Sequence, residues 1–184
     1  MGTIKILGLV GSLRRASYNK ALMRAAMTLK PEDVVIEVFD LEGIPPFNQD
    51  VEENPPEIVK KLKFTIREAD ALLIATPEYN YSVSGILKNA IDWASRPYGD
   101  NSFKGKPVAI MSASVGSLGG ARAQYHLRQI VFALDMYPLN RPEVMVPFAE
   151  KSIDAEGNVT NEKTRRLIRE LLEELVRWTR KLKT

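Results

Sequence analysis

The sequence predicts an α/β protein in which helices cover both faces of a five-stranded parallel sheet. Three observations support this fold class. Apolar runs rich in Val, Ile and Leu alternate with helical patterns, the alternation occurs five times, and the runs are short and bounded by turn residues. Continuously apolar strands are typical of parallel sheets buried on both faces. Because a chain of 184 residues can bury one good core, we expect a single domain spanning residues 1–184.

Four apolar runs are candidate strands, and a fifth strand is less clearly marked. The four runs cover residues 4–10, 34–39, 71–76 and 108–112. The last strand has two candidate segments, residues 136–139 and residues 144–146, and the sequence leaves the choice open. Strands that are joined by helices form right-handed crossovers, which predicts that neighbouring strands are parallel.

Five helical patterns alternate with these strands, and in each of them apolar residues recur every three or four positions along one helix face. The stripes are Leu22, Ala26 and Leu29; Ile58, Leu62, Ile66 and Ala69; Val83, Ile86, Leu87, Ala90, Ile91 and Ala94; Leu127, Ile130, Val131 and Leu134; and Leu167, Ile168, Leu171, Leu172, Leu175 and Leu182. Five strands connected in this way favour a doubly wound, flavodoxin-like sheet of order 2-1-3-4-5 over a six-stranded dinucleotide-binding sheet.

The composition excludes several classes of function. The net charge is +3, and basic residues alternate with acidic ones instead of forming the stripe of a nucleic-acid-binding protein. The chain has no cysteine, which excludes disulfides, thiol nucleophiles and cysteine-ligated iron–sulfur clusters. No apolar run approaches the roughly 20 residues of a membrane span. The start, MGTIKILGLV, is not typical of a signal peptide, so we expect a cytoplasmic protein.

The candidate site is the carboxyl edge of the sheet, where ligands bind in this strand order. Three unusual segments follow strands there: loop one (residues 11–19), loop two (residues 77–84) and loop three (residues 113–120). In loop one, GSLRRASYN, a glycine permits a sharp turn and hydroxyl and amide side chains precede a helix. Helix N-termini attract anions, and Arg14 or Arg15 adds a charged donor. The alternative is an ordinary capped helix with two surface arginines.

The donors of loop one fit a single phosphate monoester. The chain has neither the G-x-G-x-x-G fingerprint of dinucleotide-binding sheets nor a G-x-x-x-x-G-K-[ST] phosphate loop. Asp40 lies at the end of the second strand, where such folds bind a ribose, but without the glycines the sequence assigns it no such role.

Loops two and three suggest a flat ligand. In loop two, main-chain amides beside Tyr79 could bond the edge of a planar heterocycle; alternatively Tyr79 and Tyr81 pack at a rim or subunit interface, which we favour for Tyr81. Loop three and Ser112 before it consist largely of small residues, which permit close approach of a ring, or simply form a flexible helix entry.

Three segments resemble the NADPH-dependent FMN reductase family of flavodoxin-like proteins. They are GSLRRASYN, PEYNYSVSGILKNAIDWASRP and GGARAQYHLRQI, and the likeness extends from the first strand to about residue 146. It is greatest to the bacterial quinone and chromate reductase branch. The resemblance implies bound FMN, with NADPH or NADH as the hydride donor.

The family's motifs assign site residues by position. Its FMN-phosphate loop falls on Gly11, Ser12, Leu13, Arg14, Ser17 and Asn19, with Arg15 at a variable position. The segment that lies against the flavin ring corresponds to Pro77, Glu78, Tyr79 and Asn80, and the third loop supplies Ser112, Ser114 and Gly116. Relatives often carry proline where this chain has Ser84, which we expect to cap the following helix.

The implied activity is an NAD(P)H oxidoreductase that passes a hydride through FMN to quinones, and incidentally to azo dyes, chromate or free flavin, in a ping-pong mechanism. Because the flavin carries this chemistry, no catalytic side chain is required. We expect His126 to be a surface or interface residue on a helix, and Glu78 to serve the flavin through its main chain rather than its carboxylate. Lys88 and Asp92, four residues apart, should pair on one helix.

Two other functions remain open from the residues. A flavodoxin-type electron carrier would also bind FMN, but such carriers are usually acidic and this chain has a net charge of +3. A nicotinamide dehydrogenase without flavin is disfavoured by the missing fingerprint. The resemblance also implies a homotetramer or, failing that, a homodimer, with Tyr81, Trp93, Arg96, Arg122 and Tyr125 as candidate interface residues.

Overall fold

Strands and helices alternate as the sequence predicts in the computed structural model, which describes residues 2–183. The strands are β1 (Ile4–Val10), β2 (Val34–Phe39), β3 (Ala71–Ala75), β4 (Pro107–Ala113), β5 (Tyr137–Pro138) and β6 (Val144–Val146). The helices are α1 (Tyr18–Leu29), α2 (Glu57–Glu68), α3 (Gly85–Ala94), α4 (Ala121–Ala133) and α5 (Glu162–Lys183). All five helical patterns are confirmed. Among the helices of residues 2–183, none is long and apolar enough to cross a membrane.

The sheet confirms the predicted order. Its strands follow β2-β1-β3-β4-β5, and the neighbours pair in parallel. Both candidate segments for the last strand form strands: β5 pairs with the start of β4, and β6 pairs with its end. The residues between them are not strand, and Pro142 has no N–H to donate to a ladder. The edge position is therefore occupied by two short strands in succession.

The core forms two layers because successive strand residues point to opposite faces of the sheet. Ile6 and Leu73 pack with α1 and α5 on one face, whereas Leu7 and Leu72 pack with α2, α3 and α4 on the other. None of these four side chains is more than 2% exposed. Packing on both faces fixes the sheet, so the carboxyl ends of its strands form a firm base for the loops.

Loops one and two contact each other closely at Gly11. The Gly11 N–H donates to the carbonyl of Ala75 at 2.9 Å, which carries the chain out of β1 beside β3. A Cβ atom at Gly11 would lie 2.8 Å from Ser84 Oγ and 3.2 Å from Pro77 Cδ, so any side chain there would displace loop two.

Ser84 is the N-cap of α3, as expected, and its hydroxyl accepts a bond from Leu87 N at 3.4 Å.

Candidate functional site

Loop one presents main-chain donors that the rest of the chain does not use. Within the described residues, the N–H groups of residues 12–16 form no hydrogen bond. Ser17 is the N-cap of α1, with its hydroxyl 3.4 Å from Lys20 N, so the helix begins directly after these donors. Ser12 is 5% exposed and lies beside them. Free N–H groups at a helix N-terminus are suited to binding a phosphate group.

The two arginines of loop one differ in position. Arg14 lines both the cleft that the three loops enclose and a neighbouring depression, whereas Arg15 lines only the depression. Neither guanidinium forms an ion pair or hydrogen bond with any residue from 2 to 183. Arg14 is therefore placed to meet an anion in the cleft, and Arg15 is not, which agrees with the family's pattern.

Asn19 has a structural task in addition to the place in the site that its motif implies. Its amide is 3% exposed and forms two hydrogen bonds with Ala113, donating from Nδ2 to the carbonyl oxygen at 3.1 Å and accepting from the N–H at 3.0 Å. Both ends of the amide are occupied, so the side chain ties α1 to the end of β4. Asn19 therefore joins loop one to loop three, and it also lines the cleft, where the second Nδ2 hydrogen has no partner among residues 2–183.

Loop two is a tight two-residue turn. The main chains of Tyr79 and Ser82 bond each other in both directions at 3.0 Å, and Asn80 and Tyr81 between them have φ of 49° and 67°. Non-glycine residues adopt this left-handed region rarely, and here no glycine relieves the strain. Asn80 therefore lies exposed at the tip of the turn, outside the residues that line the cleft.

Helix α4 holds this turn in place. The Arg122 guanidinium lies 3.6 Å from the centre of the Tyr81 ring, and His126 Nδ1 lies 3.1 Å from Ser82 Oγ. Cation–π contacts of this kind contribute about 0.5–1 kcal/mol at exposed sites. His126 is exposed and does not line the cleft, in agreement with the expected surface position.

The Glu78 carboxylate caps α4. It accepts from Arg122 N at 3.1 Å, from Arg122 Nε at 2.5 Å and from Ala123 N at 3.4 Å, and the side chain is only 8% exposed. The N-cap position itself is Gly120, which has no side chain to bond these first-turn N–H groups. Glu78 supplies the missing acceptor from loop two, so its carboxylate is not available to a ligand.

The three candidates of loop three are placed differently from one another. Ser112 is fully buried, with its hydroxyl 2.6 Å from Gly119 O and 2.8 Å from Gln124 Nε2, so it shapes the loop from beneath and does not face the cleft. Gly116 is exposed and also lies outside the cleft. Ser114 alone lines it.

Residues from all three loops converge on one cleft with a free volume of about 130 Å³. Its lining comprises Ser12, Arg14, Ser17, Tyr18, Asn19, Pro77, Glu78, Tyr79, Ala113, Ser114 and Val115. Tyr18, Ala113 and Val115 lie within loops one and three as the sequence defined them, but they were not among the predicted site residues. The volume is below the roughly 300 Å³ of a site that encloses a ligand. The cleft thus suits a phosphate and one edge of a ring, with the remaining ring open beside exposed Tyr79 and Val115.

The candidate interface residues separate into two groups. Tyr81 and Tyr125 are 65% and 52% exposed and remain available to a partner. Trp93 fits a core or an interface position by its sequence; it is 1% exposed and its indole N–H donates to the carbonyl of Pro45 at 2.8 Å, so it is a core residue and the interface alternative is wrong. Lys88 and Asp92 form the expected helical ion pair at 2.7 Å.

Comparison with known proteins agrees with this geometry. The chain is 52% identical to an NAD(P)H-dependent FMN reductase of Pseudomonas aeruginosa over 98% of its length and 97% of the relative's. It is 45% identical to a 2-hydroxy-1,4-benzoquinone reductase of Burkholderia sp, with 96% and 97% covered. The solved structure of FerB, a flavoenzyme NAD(P)H:(acceptor) oxidoreductase from Paracoccus denitrificans, superposes with a TM-score of 0.89 at 37% identity, covering 97% and 98% of the two chains.

The family profile described as NADPH-dependent FMN reductase matches residues 4–151, which include all three loops. The matched segment begins at β1 and ends after β6, so it contains the whole sheet. The resemblance inferred from the three motifs is therefore confirmed, and the chain belongs to the NADPH-dependent FMN reductase family.

Proposed function

We propose that this chain is an FMN-dependent NAD(P)H oxidoreductase whose acceptors are quinones. The observation that carries the proposal is the convergence of unused main-chain N–H groups, Arg14 and loop two on one cleft. The quinone acceptor is supported by a relative named 2-hydroxy-1,4-benzoquinone reductase, 45% identical to this chain. Azo dyes, chromate and free flavin are proposed as secondary acceptors on the resemblance alone.

The residues of the cleft fit FMN in two parts. The N–H groups of residues 12–16, Ser17 and Arg14 would hold the phosphate, and Pro77 and Tyr79 with the end of β4 would hold the ring edge. When bound, FMN supplies the hydride chemistry. The chain orients it and leaves one side of the ring open to solvent, from which the protons that a quinone needs can come. Glu78 and His126 exchange no proton in this scheme, because the Glu78 carboxylate is bonded to the first turn of α4 and His126 lies outside the cleft.

The electron-carrier alternative has less support. Flavodoxin-type carriers dock through acidic surfaces, and this chain has a net charge of +3. The relatives that it matches over nearly their whole length are reductases. Cytoplasmic location stays a prediction of the sequence, as does the choice between NADPH and NADH.

We propose that the chain assembles as a homotetramer, with a homodimer as the second choice. The open side of the cleft adjoins exposed Tyr81 and Tyr125, and Phe132 on α4 is 85% exposed. Exposed aromatic residues of this kind are enriched at subunit interfaces. Light scattering at micromolar concentration should give a mass near four times 20.7 kDa, and a monomer would contradict the proposal.

The two arginines of loop one provide a matched test of the FMN site. Replacement Arg14→Ala should weaken FMN binding by about 1.5–3 kcal/mol, because it removes a charge-assisted hydrogen bond to phosphate. Replacement Arg15→Ala, which removes the same charge one residue away, should have a much smaller effect. Quenching of FMN fluorescence by apoprotein measures both, and equal losses would show that the phosphate does not face Arg14.

Steady-state kinetics test the proposed reaction. The open face of a bound flavin ring would hold the nicotinamide or the acceptor but not both together, so initial-rate plots should give parallel lines. Replacement His126→Asn should keep kcat within about tenfold, below the 10²–10⁴ typical of a lost general acid or base. Intersecting lines would indicate a ternary complex, and a thousandfold loss with FMN still bound would place His126 in the chemistry.

A further inference from the structure

A second cleft lies beside the candidate FMN site, over the carboxyl ends of β1 and β2. It has a free volume of about 320 Å³, which lies within the range of small-molecule sites. It is bounded by α1 on one side and by the end of β2 on the other. Ser12 borders both clefts, so only the phosphate-binding loop separates them. The proposed function uses none of the remaining residues of this second cleft.

The walls of the second cleft are apolar and partly exposed. Met27 on α1 and Val38 on β2 are 41% and 43% exposed on facing sides, and Met23 is buried between them. Gly8 allows Met23 and Val38 to lie close to β1, because a Cβ atom at Gly8 would lie 2.8 Å from Met23 Sδ and 3.2 Å from Val38 Cγ2. A flat ring inserted between Met27 and Val38 would cover both, and thioether sulfur contacts aromatic rings favourably.

The rim of the same cleft carries unpaired charges. Lys20 and Arg24 lie one turn apart on α1, and Asp40 directly follows β2. Lys20 Nζ and Arg24 Nη2 bond only main-chain oxygens, and Asp40 Oδ1 accepts only from Glu42 N at 3.0 Å. None of the three forms an ion pair within residues 2–183. The cleft therefore combines an apolar slot, Lys20 bonded to loop one, Arg24 with its guanidinium bonded to Gly157 O, and one carboxylate beyond the second strand.

We propose that the second cleft binds an adenosine 5′-phosphate moiety, an inference that rests on the proposed function for its biological meaning. The purine would lie between Met27 and Val38, and Asp40 would accept hydrogen bonds from the ribose hydroxyls. Lys20 and Arg24 would meet the phosphate. In nucleotide-binding sheets a carboxylate at the end of the second parallel strand holds a ribose, and Asp40 occupies that place on the rim of this cleft.

The moiety can belong to either of two dinucleotides. It is the adenylate half of NAD(P)H, whose nicotinamide would then extend across loop one, or the adenylate half of FAD, whose flavin would occupy the first cleft. With either dinucleotide, the half that is not adenylate would lie beyond Ser12, at the point where the two clefts meet. The chemistry that the second cleft recognises is the same in both cases.

Direct binding of 5′-AMP to the purified full chain tests the site without relying on activity. We expect calorimetry to detect binding that is roughly tenfold weaker in Asp40→Asn, because a charged hydrogen bond is lost. Val38→Glu should weaken it by at least that factor. The matched control is Val35→Glu on the same strand: Val35 is 42% exposed but lies on the opposite face, so AMP binding should stay within twofold.

Two further arms distinguish the dinucleotides. If the moiety belongs to NAD(P)H, Val38→Glu raises KM for NADH and leaves KM for reduced nicotinamide mononucleotide unchanged. If it belongs to FAD, Val38→Glu weakens FAD binding and leaves FMN binding unchanged. Either result supports the site. Absence of AMP binding at concentrations on the order of 10 mM, or equal effects of Val38→Glu and Val35→Glu, would overturn it. A chain that binds AMP but neither binds FMN nor oxidises NADH would instead refute the proposed function.

Discussion

The two hydrogen bonds between the Asn19 amide and the main chain of Ala113 join the first and third loops of the site. Asn19 belongs to the first turn of α1, where the unused N–H groups end, and Ala113 is the last residue of β4, from which loop three departs. The amide is almost fully buried, so loss of its partners would cost about 1–3 kcal/mol. The spacing of loops one and three across the cleft is thus set by a hydrogen-bonded side chain.

The second loop depends on α4 in a similar way. Its turn holds Asn80 and Tyr81 at positive φ, a conformation that costs of order 1–3 kcal/mol at each non-glycine residue. The contacts of Glu78 and Tyr81 with Arg122 offset this strain. Because the N-cap of α4 is a glycine, the first turn of α4 depends on the Glu78 carboxylate for an acceptor. Loop two in turn depends on its contacts with α4. The rigid presentation of Tyr79 toward the cleft follows from this mutual dependence.

Much of the fold could be predicted because strand and helix patterns report burial, which local sequence encodes. The strand order followed from the number and alternation of the elements, whereas the two segments offered as alternatives for the last strand both form strands. The site was predicted to the level of loops. Ser112 and Asn19 carry polar groups within the predicted site segments. Their hydrogen-bond partners, Gly119 and Ala113, are brought to them only by tertiary packing. A motif gives a residue's place in the chain and not the direction in which its side chain points.

Trp93 and Asp40 are two further residues whose roles could not be assigned from the sequence alone. Aromatic character suggested an interface for Trp93, whereas the indole bonds Pro45 inside the core. Asp40 was noted at the end of the second strand but was given no role, because the role proposed for it depends on the cleft that it shares with Met27 and Val38. Both outcomes are set by contacts between segments distant in sequence, which no local pattern contains.

The claim that Asn19 acts by joining loops one and three, and not by touching the phosphate, is tested by comparing FMN with riboflavin, which lacks the phosphate. Binding of each flavin to Asn19→Ala and Arg14→Ala would be measured by fluorescence at a temperature where both variants are folded. The account predicts that Asn19→Ala weakens both flavins by a similar factor, about tenfold, because the shape of the whole cleft changes. Arg14→Ala should weaken FMN alone. If Asn19→Ala weakened FMN and left riboflavin unaffected, the amide would be a direct phosphate ligand and the account would be wrong.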